Sequence, residues 1–146
     1  MVADTYPDSS FLVSLHRADA KHAGAHSYMA AHPQPLIFTP LQRIEVRNAF
    51  RNLAALGEIR EEDCRASFRR IDDDLREEIL VHTPIAWPHI FRRADELSEA
   101  HAGRHGQRTI DLLHVAIALD VTARTFLSFD QRQGRLAKAA GLKVRP

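Results

Sequence analysis

The amino-acid sequence predicts an α/β fold in which helices wrap a parallel sheet of short strands. Short apolar runs alternate with segments of helical periodicity along the chain, which is typical of strand–helix–strand units. The 146 residues match the usual size of one domain with a substantial core. An excess of helical segments in the middle of the chain indicates a helical arm beside the sheet. We therefore expect a single domain over residues 1–146.

The first quarter of the chain contains two predicted strands and two predicted helices. Val2–Tyr6 is a short strand, and Asp8–His16 has the apolar spacing of a helix. Asp19–Ala31 is predicted to be helical from its alanines and spacing, and the sequence HPQP then ends the helix because proline disrupts helices. Leu36–Phe38 is the second short apolar strand.

A strong helix-start signal follows at residues 39–42. Thr39 is a favourable N-cap, Pro40 suits the first helical position, and Gln42 completes a capping box. The helix that begins here is predicted to run to about Leu56, and Gly57 favours its end because glycine is common just after a helix.

The middle of the chain is mainly helical and strongly charged. Glu61–Leu80 is predicted to form a charged helix, and Val81–Thr83 a short strand. Trp87–His101 is predicted to form another helix, and the glycines of Gly103–Gly106 mark a loop.

The last third returns to the alternating pattern. Thr109 is the expected N-cap of an apolar helix over residues 110–121, and Thr125–Phe129 is rich in strand-forming residues. Asp130–Ala140 is the last predicted helix, and Leu142–Val144 the last predicted strand.

Bulk properties exclude several classes of function. Cys64 is the only cysteine in the sequence, so an internal disulfide is impossible and a reducing compartment is expected. Ile110–Leu119 is the longest nearly apolar stretch and is too short to span a bilayer. No basic and then apolar leader opens the chain, so we expect a cytoplasmic protein. The glycine motifs of nucleotide-binding loops and serine hydrolases are absent from the sequence.

Four acidic residues lie near the predicted ligand-binding edge of the α/β sheet. Asp8 follows a strand, Glu45 interrupts the apolar side of a helix, Asp111 opens an almost wholly apolar helix, and Asp130 follows the strand-forming run that precedes the last helix. Three of the four lie at strand ends or helix starts, which in an open α/β sheet are found at the edge where ligands bind. Carboxylates gathered in one place repel one another unless a cation binds between them. The sequence therefore predicts a divalent-metal site and phosphate chemistry.

Each acid also has a purely structural interpretation. Asp8 and Asp130 stand where helix N-caps are expected, although Ser9 or Ser10 is an equally good cap for the first helix. Asp111 lies in a first helical turn, where the helix dipole favours an acid.

Glu45 is consistent with an acid at the edge of the core that pairs with an arginine. His114 lies one turn after Asp111 and is expected to be a packed or hydrogen-bonded side chain, not a metal ligand. Ser128 lies close enough to Asp130 to donate a hydrogen bond into the same site.

These residues resemble the PIN-domain ribonucleases, and among them the VapC-type toxins of bacterial toxin–antitoxin pairs. The resemblance rests on DSSFLVSL near the start, TPLQRIEVRNAF, the closing LAKAAGLKV, and above all RTIDLLHVAIALDVTARTFLSFDQR. The last segment combines an Asp at the start of an apolar helix with a strand, a hydroxyl residue, a second Asp and a basic helix. Residues 57–106 match only as a helical insert, which varies among such proteins.

The resemblance implies a three-layer α/β/α fold with an acidic metal-binding site. It assigns Asp8, Glu45, Asp111 and Asp130 as an acidic quartet with catalytic and metal-binding roles around Mg²⁺ or Mn²⁺, with Ser128 in support. It implies that a metal-activated water attacks an RNA phosphodiester. It also implies a homodimer and inhibition by a cognate VapB-like antitoxin.

Several alternatives remain open from the sequence. Asp4 is also near the first strand and competes with Asp8 for the role of its acid. An inactive PIN-like RNA-binding module is one alternative function. A phosphate-accepting receiver domain is another, although the adjacent acidic pair and the lysine that it needs are not where they should be. Arg132 and Arg135 belong to a basic C-terminal segment and are predicted to hold RNA phosphates.

Overall fold

The computed structural model describes residues 2–17, 23–101, 103–104 and 106–146. These residues form an α/β structure with one five-stranded sheet, in which every neighbouring pair of strands is parallel. The strand order is β3-β2-β1-β4-β5. The strands, each of three residues, are β1 (Thr5–Pro7), β2 (Leu36–Phe38), β3 (Leu80–His82), β4 (Thr125–Leu127) and β5 (Lys143–Arg145).

Seven helices occur in the described part of the chain and cover both faces of the sheet. They are α1 (Ser9–His16), α2 (Ala23–Ala31), α3 (Pro40–Ala55), α4 (Glu61–Arg76), α5 (Trp87–His101), α6 (Thr109–Asp120) and α7 (Gln131–Ala139). The predicted α/β class with a short-stranded parallel sheet is therefore confirmed.

Two hydrophobic clusters lie on opposite faces of the sheet, and alternate strand residues feed them. Tyr6 and Phe126 point into one cluster, which is built with α5, α6 and α7. Leu36 and Leu127 point into the other, which is built with α1, α3 and α4. This alternation follows from the two-residue period of a strand. It produces the three layers of the fold, helices on sheet on helices.

The ends of two strands differ from the sequence-based prediction. β1 begins at Thr5 and not at Val2, which is 89% exposed and has no sheet neighbour in the described pairing. β4 ends at Leu127, two residues early, because Ser128 Oγ accepts the backbone N–H of Asp130 and turns the chain out of the sheet. β5 is displaced by one residue toward the C-terminus.

The charged helix α4 is shorter than predicted. It ends at Arg76 because the chain reverses at Glu78, whose φ of 58° is incompatible with a continuing right-handed helix. Leu80 was predicted to end the helix, but it is buried in β3 and pairs with Leu36. The segment 57–106 was predicted to be a helical insert, and it contributes this edge strand as well as two helices.

Helix starts were predicted with mixed success. The capping box of α3 is present as predicted, because Gln42 Oε1 accepts the N–H of Thr39 at 2.6 Å. Thr109 is not the N-cap of α6, since Arg108 occupies that position. The predicted helix Asp19–Ala31 is observed from Ala23 onward, and residues 19–22 lie outside the described residues.

Candidate active site

The central strands of the sheet deliver two predicted site residues to one edge. Pro7 at the end of β1 is paired with Leu127 at the end of β4, so the residues that follow them emerge side by side. The N–H of Asp8 donates to the carbonyl of Leu127 at 2.9 Å, which fixes Asp8 next to Ser128. Parallel strands place their carboxyl ends together, which is why this edge gathers a site.

All four predicted acids line one cavity of about 150 Å³ at this edge. Asp8 comes from the end of β1, Glu45 from the second turn of α3, Asp111 from the first turn of α6, and Asp130 from the loop after β4. Six further residues complete the wall, namely Ser9, Ser10, Arg108, Ile110, His114 and Gln133. The sequence therefore identified the acidic part of the cavity but not its other walls.

Asp4 lies at the opposite end of β1 from this cavity. Its side chain is exposed and its nearest described cation is Arg124, at 4.0 Å from the Arg124 Nε to the Asp4 Oδ2. Of the two acids near the first strand, Asp8 is the one that lines the cavity.

Asp8 is a buried carboxylate with a dense set of donors. Its Oδ1 accepts the backbone N–H of Phe11 at 2.7 Å and the hydroxyl of Ser10 at 2.9 Å, and its Oδ2 accepts the hydroxyl of Ser128. Asp8 is thus the N-cap of α1, and neither Ser9 nor Ser10 takes that place. Burial raises the pKa of Asp8 from its ordinary value, although the hydrogen bonds and nearby His114 act in the opposite direction.

Glu45 is held by two donors from different elements. It accepts the hydroxyl of Ser9 at 2.7 Å and a hydrogen bond from Nε2 of His114. Burial of Glu45 acts to raise its pKa, but the hydrogen bond and charge of His114 and the hydroxyl of Ser9 outweigh it, so the pKa is lowered. A lowered pKa keeps Glu45 ionised.

His114 connects Glu45 to the interior of the fold. The ring is 3% exposed, and its Nδ1 lies 2.7 Å from the hydroxyl of Tyr6. Burial raises the pKa of Tyr6 well above its ordinary value, so that hydroxyl keeps its proton. The two ring nitrogens of His114 thus contact two different groups, Nδ1 the hydroxyl of Tyr6 and Nε2 the carboxylate of Glu45. His114 is thus hydrogen-bonded, as predicted, but its position in the cavity wall was missed. Its spacing of one turn from Asp111 was the available signal.

Asp111 and Asp130 stabilise helix starts while facing the cavity. Oδ2 of Asp111 accepts the backbone N–H of Arg108 at 3.1 Å, and Oδ1 of Asp130 accepts the N–H groups of Arg132 at 2.9 Å and Gln133 at 3.2 Å. In the described contacts each acid uses one oxygen for its cap. The second oxygen of each remains a potential ligand.

The donor set fits a hydrated divalent cation. Its oxygens are carboxylates and hydroxyls, the ligands that Mg²⁺ and Mn²⁺ prefer, and burial of Asp8 disfavours its charged form, which a bound cation would stabilise. The cavity volume is several times the roughly 30 Å³ of a water molecule, so an ion can keep part of its hydration. In the described part of the chain, no three His, Cys, Asp or Glu side chains already converge as a ready-made ligand set. A cation that kept water would be held partly through it.

The two predicted RNA-binding arginines are exposed on α7 but reach different surfaces. Nη1 of Arg132 donates to the carbonyl of Gly106 at 3.3 Å, so it contacts the loop that precedes α6. Arg135 lines a second cavity, of about 510 Å³, together with Lys138 and Asp130. The second cavity therefore adjoins the acidic one through Asp130.

The chain matches the family model of the PIN domain over residues 5–139 and belongs to that family. The predicted family is confirmed, and with it the class of protein, a PIN-domain nuclease. Two solved structures have a similar fold. VapC20 of Mycobacterium tuberculosis, described as a sarcin–ricin loop cleaving toxin, is 20% identical, with a TM-score of 0.65 over 97% of this chain and 99% of that chain. PAE2754 of Pyrobaculum aerophilum is 18% identical, with a TM-score of 0.61 over 99% of this chain and 90% of that chain.

No curated protein sequence matches this chain. Among the described residues, no helix has both the length and the apolar character needed to cross a membrane.

Proposed function

We propose that this protein is an endoribonuclease that depends on Mg²⁺ or Mn²⁺, hydrolyses RNA phosphodiester bonds and serves as the toxin of a toxin–antitoxin pair. The observation that carries the proposal is that four carboxylates, from four separate segments of the chain, line one small cavity. The shared fold with VapC20, a toxin described as cleaving the sarcin–ricin loop, supports RNA as the substrate.

The proposed ligands of the metal are Asp8, Glu45, Asp111 and Asp130. The chemistry that a bound Mg²⁺ or Mn²⁺ supplies in such a site is activation of the attacking water and neutralisation of charge on the phosphate. The protein holds the ligands in place beforehand. Asp8 is fixed by its cap and by Ser128, with further hydrogen bonds fixing the other three acids.

His114 has the role of a positioning residue in this proposal. Its hydrogen bond orients one oxygen of Glu45, and its own orientation is set by Tyr6 in the core. Hydrogen-bond partners of this kind fix ligand geometry and tune ligand basicity. Arg108 lines the same cavity with an exposed guanidinium, which brings a positive charge to the place where a phosphate would enter.

The proposed partners are RNA, a VapB-like antitoxin and a second copy of the chain in a homodimer. RNA is supported by the basic residues of α7, which lie beside the acidic cavity. The antitoxin and the dimer are carried over from the resemblance to VapC-type toxins, and a cytoplasmic location is proposed because a single cysteine suits a reducing compartment.

Cleavage of a structured RNA in defined metal tests the proposed activity. We expect cleavage in Mg²⁺ or Mn²⁺, its loss in EDTA, and its recovery when excess metal is restored. The matched pair of variants is Asp111→Asn in the cavity and Asp95→Asn on the exposed side of α5. The first should be inactive and the second should cleave like the wild type. Full cleavage in EDTA, or full activity of Asp111→Asn, would show that the acidic cavity is not the active site.

An inactive RNA-binding PIN module is the alternative function. It predicts that RNA binds without being cut in any metal and that Asp111→Asn binds RNA as well as the wild type does.

A further inference from the structure

Three cavities meet at the short loop after β4. The acidic cavity and the basic cavity share Asp130, and Phe129 lines the basic cavity from the other side. Phe129 also lines a third, mostly apolar groove of about 600 Å³ between α1 and α3, which shares Ser9 and Glu45 with the acidic cavity. One aromatic side chain therefore lines both of the cavities that adjoin the acidic one.

The ring of Phe129 packs on the core and is partly exposed. It stacks on the buried ring of Phe11, with centroids 5.4 Å apart and planes inclined by 19°. Phe11 is in turn held by an edge-on contact with Tyr28 at 6.1 Å. Phe129 nevertheless remains 49% exposed, so part of the ring meets solvent although Phe11 supports one face and Gly24 of α2 lies near the ring edge. A rigid, supported aromatic face is what stacking of a flat ligand requires.

The charges around this ring match a polynucleotide. Phe129 lines the basic cavity together with Asp130, Arg135 and Lys138, and it lines the apolar groove together with Glu45. A single strand with one phosphate among the carboxylates and another near Arg135 would have Phe129 within one of the two cavities that adjoin its path. Single-stranded nucleic acid is held in this way elsewhere, by basic grooves for the backbone and aromatic side chains for the bases.

We propose that Phe129 is a stacking platform for a nucleobase of single-stranded RNA adjacent to the scissile phosphate. The inference rests on the proposed function as a ribonuclease and adds a base-binding subsite to it. The platform favours unpaired RNA over duplex, because only an unstacked base exposes its face to Phe129. It does not select among the four bases, since every base has a face that stacks.

Binding measurements with two matched probes test the platform. One probe is a labelled single-stranded oligoribonucleotide of mixed sequence, and the other is an abasic ribose–phosphate strand of the same length and charge. Dissociation constants are measured by fluorescence anisotropy at one salt concentration in EDTA, where the proposed function predicts no cleavage, and a gel checks that the probes stay intact. We expect the wild type to bind the base-bearing strand about five- to 100-fold more tightly than the abasic strand.

Substitutions at Phe129 separate stacking from packing. Phe129→Leu keeps apolar contact with Phe11 but removes the flat ring, so it should lose the preference for bases and bind the abasic strand as the wild type does. Phe129→Trp should retain the preference. Phe91→Leu changes a phenylalanine on α5 that is 58% exposed, and should behave like the wild type.

The outcomes distinguish this inference from the proposed function. If Phe129→Leu still prefers the base-bearing strand, or if its affinity for both strands falls equally, the platform is overturned. The exposed ring then serves a protein contact or the local fold. If the wild type cleaves RNA but binds both probes equally, the platform is overturned and the ribonuclease proposal stands. A wild type that prefers bases but never cleaves RNA supports the platform and overturns the ribonuclease proposal.

Discussion

At the scale of single residues, helix capping and metal binding are compatible roles for the same acid. Asp8 caps α1 through one oxygen, and Asp130 caps α7 in the same way, yet both line the acidic cavity. Asparagine caps helices about as well as aspartate does. A change of Asp to Asn therefore removes the charge and keeps the cap, which separates the two roles experimentally.

Neutral substitutions of the proposed ligands should abolish cleavage and preserve the fold. For Asp8→Asn, Glu45→Gln and Asp111→Asn we expect a loss greater than the roughly 10- to 100-fold that follows removal of a ligand's hydrogen-bond partner. The metal-free variants should melt at or above the wild-type temperature, because repulsion between carboxylates is relieved. Cleavage rates and melting curves check both expectations, and wild-type turnover of Asp111→Asn at limiting metal would refute the assignment.

Asp130→Asn should have a milder effect than the other three changes, because Asp130 is half-buried on a loop, where water can replace it as a ligand. Asp130→Ala should also lose the cap and reduce the free energy of unfolding by about 1 kcal/mol. Urea unfolding and cleavage rates of the two variants measure these effects. Equal unfolding free energies for the Asn and Ala variants would contradict the capping role.

Loss of the His114 side chain should weaken metal binding. His114→Leu leaves Glu45 without its buried donor, so we expect metal affinity to fall roughly 10- to 100-fold. His114→Gln retains an N–H donor and should recover part of the loss. The shift of melting temperature with added Mn²⁺ measures the affinity, since an ion that binds only the folded state stabilises it. A purely structural role predicts a lower melting temperature with an unchanged response to Mn²⁺.

At the scale of elements, Gln42 connects the start of α3 to the sheet. The side chain is fully buried, and its Nε2 donates to the carbonyls of Pro7 at 2.6 Å and Ile37 at 3.1 Å. Its Oε1 meanwhile accepts the N–H of Thr39. The residue that completes the capping box therefore also fixes the helix that carries Glu45 against the strand that leads to Asp8.

Gln42→Leu should destabilise the protein by about 2–4 kcal/mol, because three buried hydrogen bonds are removed while their backbone partners stay buried. Arg43→Ala alters the exposed neighbour on the same helical turn and should change the free energy of unfolding little. Urea unfolding of both variants measures the difference. Equal stabilities would mean that the carbonyls of Pro7 and Ile37 find other partners.

The sequence predicted the type and order of the elements better than their ends. The capping box at Thr39 was recognised because it depends on neighbouring residues alone. The end of α4 was missed because the reversal at Glu78 follows from the pairing of β3 with β2, a contact between distant segments. The acids of the cavity were found because each interrupts a local pattern. His114, Ser9 and Arg108 were not assigned to the cavity, since only the tertiary fold brings them to Glu45 and Asp111.

At the scale of the whole molecule, we propose that residues 1–146 form one domain, because strands from both ends of the chain pair in a single sheet. The charges are arranged around the site although the net charge is only +1. Arg135 and Lys138 flank the acidic cavity on the side of α7, and Arg108 lines it.

Replacing Arg132 and Arg135 together by alanine should weaken the binding of all RNAs alike. Phosphate contacts position a strand without selecting its sequence, so the cleavage site should not move. For single-stranded RNA, the slope of log affinity against log salt should fall by about 0.7 for each phosphate that the protein no longer neutralises. Arg92→Ala with Arg93→Ala on α5 is the matched control, because it removes the same charge from another exposed surface. If the two double variants show the same slope of log affinity against log salt, α7 has no specific role in RNA binding.

The central claim is that Asp8, Glu45, Asp111 and Asp130 bind a divalent ion that cleavage requires. The most direct measurement is a titration of Mn²⁺ followed by electron paramagnetic resonance on the wild type, Asp111→Asn and Asp95→Asn. We predict that the wild type and Asp95→Asn bind Mn²⁺ with the same affinity and that Asp111→Asn binds it much more weakly, in parallel with its loss of RNA cleavage. Equal Mn²⁺ affinity in all three proteins would contradict the claim.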